Sequence, residues 1–329
     1  MRVSDGGAAD HGEPVLTSMR RITPWILVAT YNSSRFLREQ LDSLLAQEWR
    51  DFRILIRDGG SSDDTLEIIE SYRDRFPEKI SFLGSSKSST LENFSALLEA
   101  SREAEAVMFC DHDDVWKPEK ISLTVGKYLE MEERFGRETP ILVFTDSEVT
   151  DESLHGLSPS MIRFQHLDPR RLTLNRLIVQ NVPSGNTMLV NRALIDLVLP
   201  IPPEAVMHDH WITLAAAAMG RIGFLDVPTL YYRQHSANVY GACRYSVSSF
   251  LKKLRQGRRK LQERFEQNVL QAAAFGRRYA GRLNAEDKEM CSALAEWPKL
   301  GFRARRRLLW KYRIFKSGLL RNIGTFLFV

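Results

Sequence analysis

From residue 22 onward, short apolar runs alternate with stretches in which apolar positions recur every three or four residues. The runs predict buried strands and the recurrence predicts helices, so together they predict βαβ units on a parallel sheet. The first strand is Trp25 to Ala29. After Thr30-Tyr31-Asn32-Ser33-Ser34, whose short polar side chains suit a helix N-cap, Phe36, Leu37, Leu41, Leu44 and Leu45 keep helical spacing. A second strand, Phe52 to Ile56, leads into Asp58-Gly-Gly-Ser-Ser-Asp-Asp64 and then a helix with Leu66, Ile69, Tyr72 and Phe76 on one face. Ile80 to Leu83, Leu91 to Ala100 and Ala106 to Cys110 predict a further strand, helix and strand, the last feeding Asp111-His112-Asp113-Asp114. Three parallel strands then end in polar loops, which is where open α/β sheets bind ligands.

Past Pro140 the pattern loosens. A strand at Ile141 to Phe144 precedes a polar excursion to about residue 170, an extended Ser184 to Val190, and a helix over Trp211 to Met219. Gly223 to Tyr232 predicts one more strand, interrupted by Pro228. From about residue 246 the chain reads as helical, with Phe250, Leu251, Leu254, Leu261, Phe265 and Val269 three, four or seven apart.

Composition sets bounds on this picture. At 329 residues and 43% apolar the chain can build a sizeable core of one or two domains. Cys110, Cys243 and Cys291 are odd in number and far apart, which disfavours a disulfide framework or a CxxC metal site and fits a reduced compartment. The opening MRVSDGGAADHGEP has neither the basic head nor the apolar core of a signal peptide, and no apolar run approaches the roughly 18 residues of a membrane span. The expected location is cytoplasmic. The net charge of +5 conceals a segregation: residues 244–329 hold 21 of the 46 Lys and Arg but 6 of the 41 Asp and Glu. Such a basic C-terminal region either meets something anionic or is a solvated helical face.

The chain has no GxGxxG after a strand and no GxxxxGK[ST], so the two commonest phosphate cradles are absent. Asp111, Asp113 and Asp114 put three carboxylates within four residues. Carboxylates so close raise one another's pKa unless a cation sits among them, and magnesium or manganese, taking oxygen ligands, would relieve the repulsion. A solvated acidic turn before the helix after Pro118 is the plainer alternative. His208, His210 and His235 could form a zinc site, which the lack of a nearby Cys and the spacing of two disfavour.

The succession ATYN at 29–32, RDGGSSDDT at 57–65, FCDHDDVWKPEK at 109–120, HDHW at 208–211 and YRQHSANVYG at 232–241 resembles the family-two glycosyltransferases of the GT-A fold. Within that family it looks most like the bacterial rhamnosyltransferase-like branch, whose usual third motif is DQDDVW; His112 departs from it while the carboxylates remain. The resemblance covers about residues 22–241. It implies an α/β nucleotide-diphospho-sugar transferase fold, a mostly parallel central sheet flanked by helices, to which the charge and apolar spacing beyond it add a basic helical C-terminal extension. The corresponding division is a flexible N-terminal segment 1–21, a GT-A domain 22–243 and a basic helical region 244–329.

Carried over residue by residue, Thr30, Tyr31 and Asn32 border the nucleotide pocket and Asp58 accepts a hydrogen bond from the base. Asp111 lies near the ribose, Asp113 binds metal, Asp114 steadies the loop and His235 is a further metal ligand. Asp209 is the catalytic base, which a helix N-terminus would keep ionised and cationic His208 and His210 would support; as an N-cap it would also stabilise the helix by about 1 kcal/mol. Trp211 and His210 belong to the acceptor side, Trp211 being otherwise core. The implied reaction is metal-dependent, inverting transfer of a sugar, L-rhamnose by resemblance alone, from a nucleotide diphosphate donor to a hydroxyl of a growing cell-surface glycan. A lipid-linked acceptor would place the basic region on an anionic membrane surface, peripheral on its inner face; the rival reading of the same apolar and basic pattern is a helical cap packed on the catalytic domain. The competing readings are a non-catalytic nucleotide-sugar-binding module whose basic tail grips nucleic acid or protein, and a phosphohydrolase. Retention of Asp209 disfavours the first, leaving nucleic acid an unexpected partner, and the absence of a second carboxylate cluster disfavours the other.

Overall fold

A computed structural model describes residues 20–235 and 258–328. Most of the expected N-terminal segment, the boundary expected at 243/244, the later half of YRQHSANVYG and the basic and apolar cluster at 250–257 lie outside the described residues. Arg20, expected in a flexible segment, is tied down by Glu105 at 2.5 Å and Glu132 at 3.0 Å.

The first half follows the predicted alternation: β1 (Trp25–Thr30), α1 (Leu37–Leu45), β2 (Arg53–Asp58), α2 (Thr65–Arg75), β3 (Ile80–Ser85), α3 (Thr90–Ala100) and β4 (Ala106–Asp111). Phe36, with no side-chain cap, stands at the N-cap of α1 in place of the polar residues before it. β1 pairs in parallel with β2 and β4, and β2 with β3. The register sets Thr30 opposite Asp58 and Ala29 opposite Asp111, so the polar strand ends stand level along one crevice.

Next come β5 (Val115–Trp116), α4 (Lys120–Phe135), β6 (Ile141–Thr150), β7 (Gly156–Ser158), α5 (Met161–Phe164) and α6 (Leu174–Leu177). β8 (Met188–Asn191), α7 (Arg192–Val198), α8 (His208–Met219) and β9 (Arg221–Arg233) follow. After the undescribed stretch stand α9 (Arg258–Arg278), α10 (Ala285–Ala295), α11 (Phe302–Lys311) and α12 (Leu319–Phe328).

The strands form one sheet in the order β3-β2-β1-β4-β8-β6-β9-β5, with β7 on β6. It is mixed, not mostly parallel as expected: β8 runs antiparallel to β4 and β6, and β5 antiparallel to β9. Apolar runs carry no direction. The excursion through α5 and α6 returns the chain to the crevice end of the sheet before β8 begins, so β8 runs against its neighbours and the turn at Gly185–Thr187 faces the acidic loop. β9 runs parallel to β6 and delivers Arg233 and His235 to the same end; its register slips where Asp146 meets Pro228.

One sheet face buries Leu37, Leu41, Ile68, Val125 and Tyr128 of α1, α2 and α4. The other buries Phe94 and Leu97 of α3 and Trp211 of α8, together with Phe265 and Phe275 of α9, Cys291 of α10 and Leu309 of α11. The C-terminal helices therefore share the core of the sheet. Trp211 lies edge-on to Phe275, with centroids 5.4 Å apart, and 6.0 Å from Tyr279.

Candidate functional site

The loops after β1 and β2 are built around Asp58. Fully buried, its carboxylate accepts from Thr30 Oγ1 (2.8 Å), Ser61 Oγ (2.6 Å), Ser85 Oγ (2.6 Å) and the N–H groups of Gly60 (2.9 Å) and Ser61 (2.8 Å). Burial works to raise its pKa, but the bonds from Ser61, Ser85 and Thr30 outweigh it and the pKa is lowered. These bonds occupy both oxygens, so a nucleotide base could reach Asp58 only if a serine hydroxyl released it. Its evident task is to hold the loop. Asn32, at φ +46°, continues the clasp: its N–H donates to Ser61 Oγ (2.8 Å) and its Oδ1 accepts from Ser62 N–H (2.9 Å). Thr30 is buried, whereas Tyr31, the next residue at the end of β1, is 57% exposed.

The acidic loop after β4 divides its labour. Asp114, wholly buried, accepts from Asn186 Nδ2 (2.5 Å) and Arg233 N–H (3.2 Å), which makes it a structural clamp between the loop, the turn before β8 and the end of β9. Arg233 adds a bond to the Asp113 carbonyl (2.9 Å) and pairs with Glu39. Asp113 Oδ2 lies 2.8 Å from His235 Nε2, so the two expected metal ligands, from distant parts of the chain, do meet. The His235 ring packs on Phe36 at 4.9 Å. Asp111 is raised to about 7 by burial and by the charges of Asp113 and Asp209. Among the described residues no three His, Cys, Asp or Glu side chains converge closely enough to enclose a metal. Asp113 and His235, beside a carboxylate strained by like charge, suit a divalent cation that completes its shell with phosphate oxygens and water.

Asp209 enters from α8. It sits in the second position of the helix, Met207 being the N-cap, so the expected N-cap role is corrected. Its carboxylate accepts from Gly185 N–H (3.2 Å), from its neighbour His210 N–H (2.6 Å) and from Asn181. Burial raises its pKa to about 6 against these bonds. The flanking histidines are not cationic supports: burial pushes His208 down to about 3 and His210 to about 4. His208 is stacked on Phe94 (4.0 Å) and Phe109 (4.9 Å), and His210 Nε2 is bonded to the Leu177 carbonyl (2.7 Å). With His235 on Asp113, the three histidines have separate partners, against a shared zinc. Trp211 and His210 are also corrected as acceptor contacts. The apolar face of α8 turns both inward, Trp211 with no exposed surface, so neither can touch a sugar.

Asn181, Gly185, Asn186, Arg233 and Glu39 were not identified from the sequence as site residues. The only available signal was Ser184-Gly185-Asn186 entering a strand; the partners themselves are set by the direction of β8 and the reach of β9. Gly185 also has a steric role, since a Cβ there would lie 3.1 Å from His208 Nε2 and 3.5 Å from Asp209 Cβ.

A parallel three-stranded edge ending in a loop clasp, an acidic loop and a carboxylate facing it from a helix N-terminus make a GT-A-like α/β fold. Residues 25–135 match the model of glycosyl transferase family 2. The chain is 26% identical over 215 residues to an uncharacterized glycosyltransferase of Nostoc, covering 65% of each chain. It is 25% identical over 227 residues to the dTDP-rhamnosyl transferase RfbG of Shigella flexneri, covering 65% of this chain and 74% of that one. The match thus spans just under two thirds of the Nostoc relative. Among solved structures, residues 1–349 of Staphylococcus aureus TarS in complex with UDP-GlcNAc superpose with a TM-score of 0.52 at 20% identity, covering 89% of this chain and 90% of that one. That likeness bears on the fold.

Proposed function

We propose that this protein is a metal-dependent, inverting glycosyltransferase that moves a sugar, L-rhamnose being the leading candidate, from a nucleotide diphosphate donor to a hydroxyl of a growing glycan. The observation that carries the reading is the turn before β8, where Gly185 N–H bonds Asp209 and Asn186 bonds Asp114, joining the helix carboxylate to the acidic loop. Donor and base then meet in one crevice. The likeness to a dTDP-rhamnosyl transferase supports the choice of sugar.

In this reading Tyr31 covers the nucleotide base, and the loop clasped by Asn32 and Asp58 shapes the pocket. Asp111 faces the ribose, while Asp113 and His235 would hold magnesium or manganese, which when bound neutralises the departing diphosphate. Asp209 takes the proton of the acceptor hydroxyl as that oxygen attacks the anomeric carbon. A pKa of about 6 leaves it mostly ionised at neutral pH and still basic enough to do so. One base opposite the leaving group gives inversion. The acceptor is a cell-surface glycan or its lipid-linked precursor, met on the inner face of the membrane, where the enzyme is cytoplasmic and peripheral.

A panel of dTDP- and UDP-sugars, each with manganese and a glycan acceptor, tests this by nucleotide release and by the anomeric configuration of the product. Acceptor-dependent release from one donor, abolished by chelator, is the expected result. Donor binding without release on any acceptor would leave a binding module, and a retained anomeric configuration would remove Asp209 as the sole base.

A further inference from the structure

Among the described residues, the last two helices carry an exposed apolar face beside a basic one. On α12, Leu319, Ile323 and Leu327 are spaced by four, so they lie along one stripe. All three are exposed, Leu319 at 73% and Leu327 at 55%. Phe326, beside the stripe, packs on Trp310 of α11 with centroids 5.8 Å apart. Its carbonyl accepts from Arg306 Nε (2.9 Å), and the same guanidinium lies 3.4 Å from the centroid of Phe302. These contacts join the stripe to exposed Phe302 and Trp310 in one strip across both helices. At roughly 100° per residue, Phe302 and Trp310 form one edge of the outward arc of α11, with Arg303 and Arg307 on the next. Neither helix contains an acidic residue.

We propose that this strip docks on a bilayer containing anionic phospholipid, with the apolar residues entering the interface and Arg303 and Arg307 meeting headgroups. Trp, Phe and Leu flanked by arginine are the residues an interfacial helix uses, and cations near an acidic leaflet add attraction that salt screens. The strip is also tied to the candidate site. Arg321 donates to the carbonyls of Gln165 (2.5 Å) and His166 (3.2 Å), and Ser317 N–H donates to Gln180 Oε1 (2.6 Å). The next residue, Asn181, is bonded to Asp209. Docking through the strip therefore anchors the segment beside the candidate base at the bilayer; its use for a lipid-linked acceptor rests on the function proposed above.

Flotation of the full chain with phosphatidylcholine vesicles, with or without phosphatidylglycerol, tests the docking. The wild type should bind the acidic vesicles at least roughly tenfold better, and less at high salt. The triple variant L319S/I323S/L327S should lose binding, and R303E/R307E should lose the preference for acidic lipid. Trp310 is the exposed one of the six tryptophans, so brominated acyl chains should quench fluorescence in the wild type and not in Trp310→Phe. Equal binding to neutral vesicles, no binding, full binding by the triple variant or no quenching would overturn the proposal. So would self-association of the wild type that the triple variant abolishes without any effect of vesicles. Transfer to a soluble acceptor, measured on the same proteins, separates the two claims: activity retained with docking lost supports the strip, and docking without activity on any donor refutes the transferase reading alone.

Discussion

Asp209→Asn should make the protein inactive and more stable at once. The carboxylate is raised from 3.8 to about 6, and at ~1.4 kcal/mol per pH unit its ionised form costs the fold about 3 kcal/mol at neutral pH. Asparagine removes that cost but keeps one acceptor oxygen for the two N–H donors, Gly185 and His210, so one bond of about 1 kcal/mol is forfeited. A net gain of about 1 to 2 kcal/mol remains. The sign follows from the folded pKa lying above the unfolded one. The wild type has its full stability below about pH 4 and loses the contribution as pH rises through about 6. The advantage of the variant should therefore be largest at pH 8 and turn into a deficit of about 1 kcal/mol at pH 4, where only the forfeited bond remains. Urea unfolding at both pH values measures it. Turnover should fall roughly 100- to 10,000-fold, as loss of a general base implies, with donor affinity near wild type. Wild-type kcat/KM should fall off below about pH 6 as Asp209 protonates. A variant that is less stable at pH 8, or that retains most of its rate, would refute the reasoning, because Asp209 would then be a helix-stabilising residue.

Asp113→Asn should abolish manganese-dependent nucleotide binding, read by isothermal titration with and without chelator, while the thermal transition persists. Gly185→Ala should lower kcat by about tenfold or more with KM for the donor little changed, because the new Cβ would press on His208 Nε2 at 3.1 Å and move the base. Phe275→Ala should destabilise the whole fold by about 3 to 5 kcal/mol in a single unfolding transition, since its ring packs on Trp211 in the shared core. A separate early transition confined to the C-terminal helices would contradict that.

The β-strands and α-helices of the first half were legible in the sequence because their signals are local: the period of burial is written in neighbouring residues, and so are the polar ends of β1, β2 and β4 that mark the crevice. The acidic loop and Asp209 were legible as motifs, and the meeting of Asp113 with His235 was expected from resemblance. Other features depend on residues brought together from distant parts of the chain. Strand direction carries no local signal, so the antiparallel β8, and with it Asn186 on Asp114 and Gly185 on Asp209, came from the tertiary structure. Trp211 and His210 looked available beside a motif, but the buried face of α8 and the C-terminal helices over it turned both inward. The basic charge of residues 244–329 was countable from the sequence; which of their apolar residues join the core and which face solvent was decided by packing. Protonation followed the same division, because Asp58 falls, Asp209 and Asp111 rise and His208 loses its charge according to burial and partners that only the folded chain assembles.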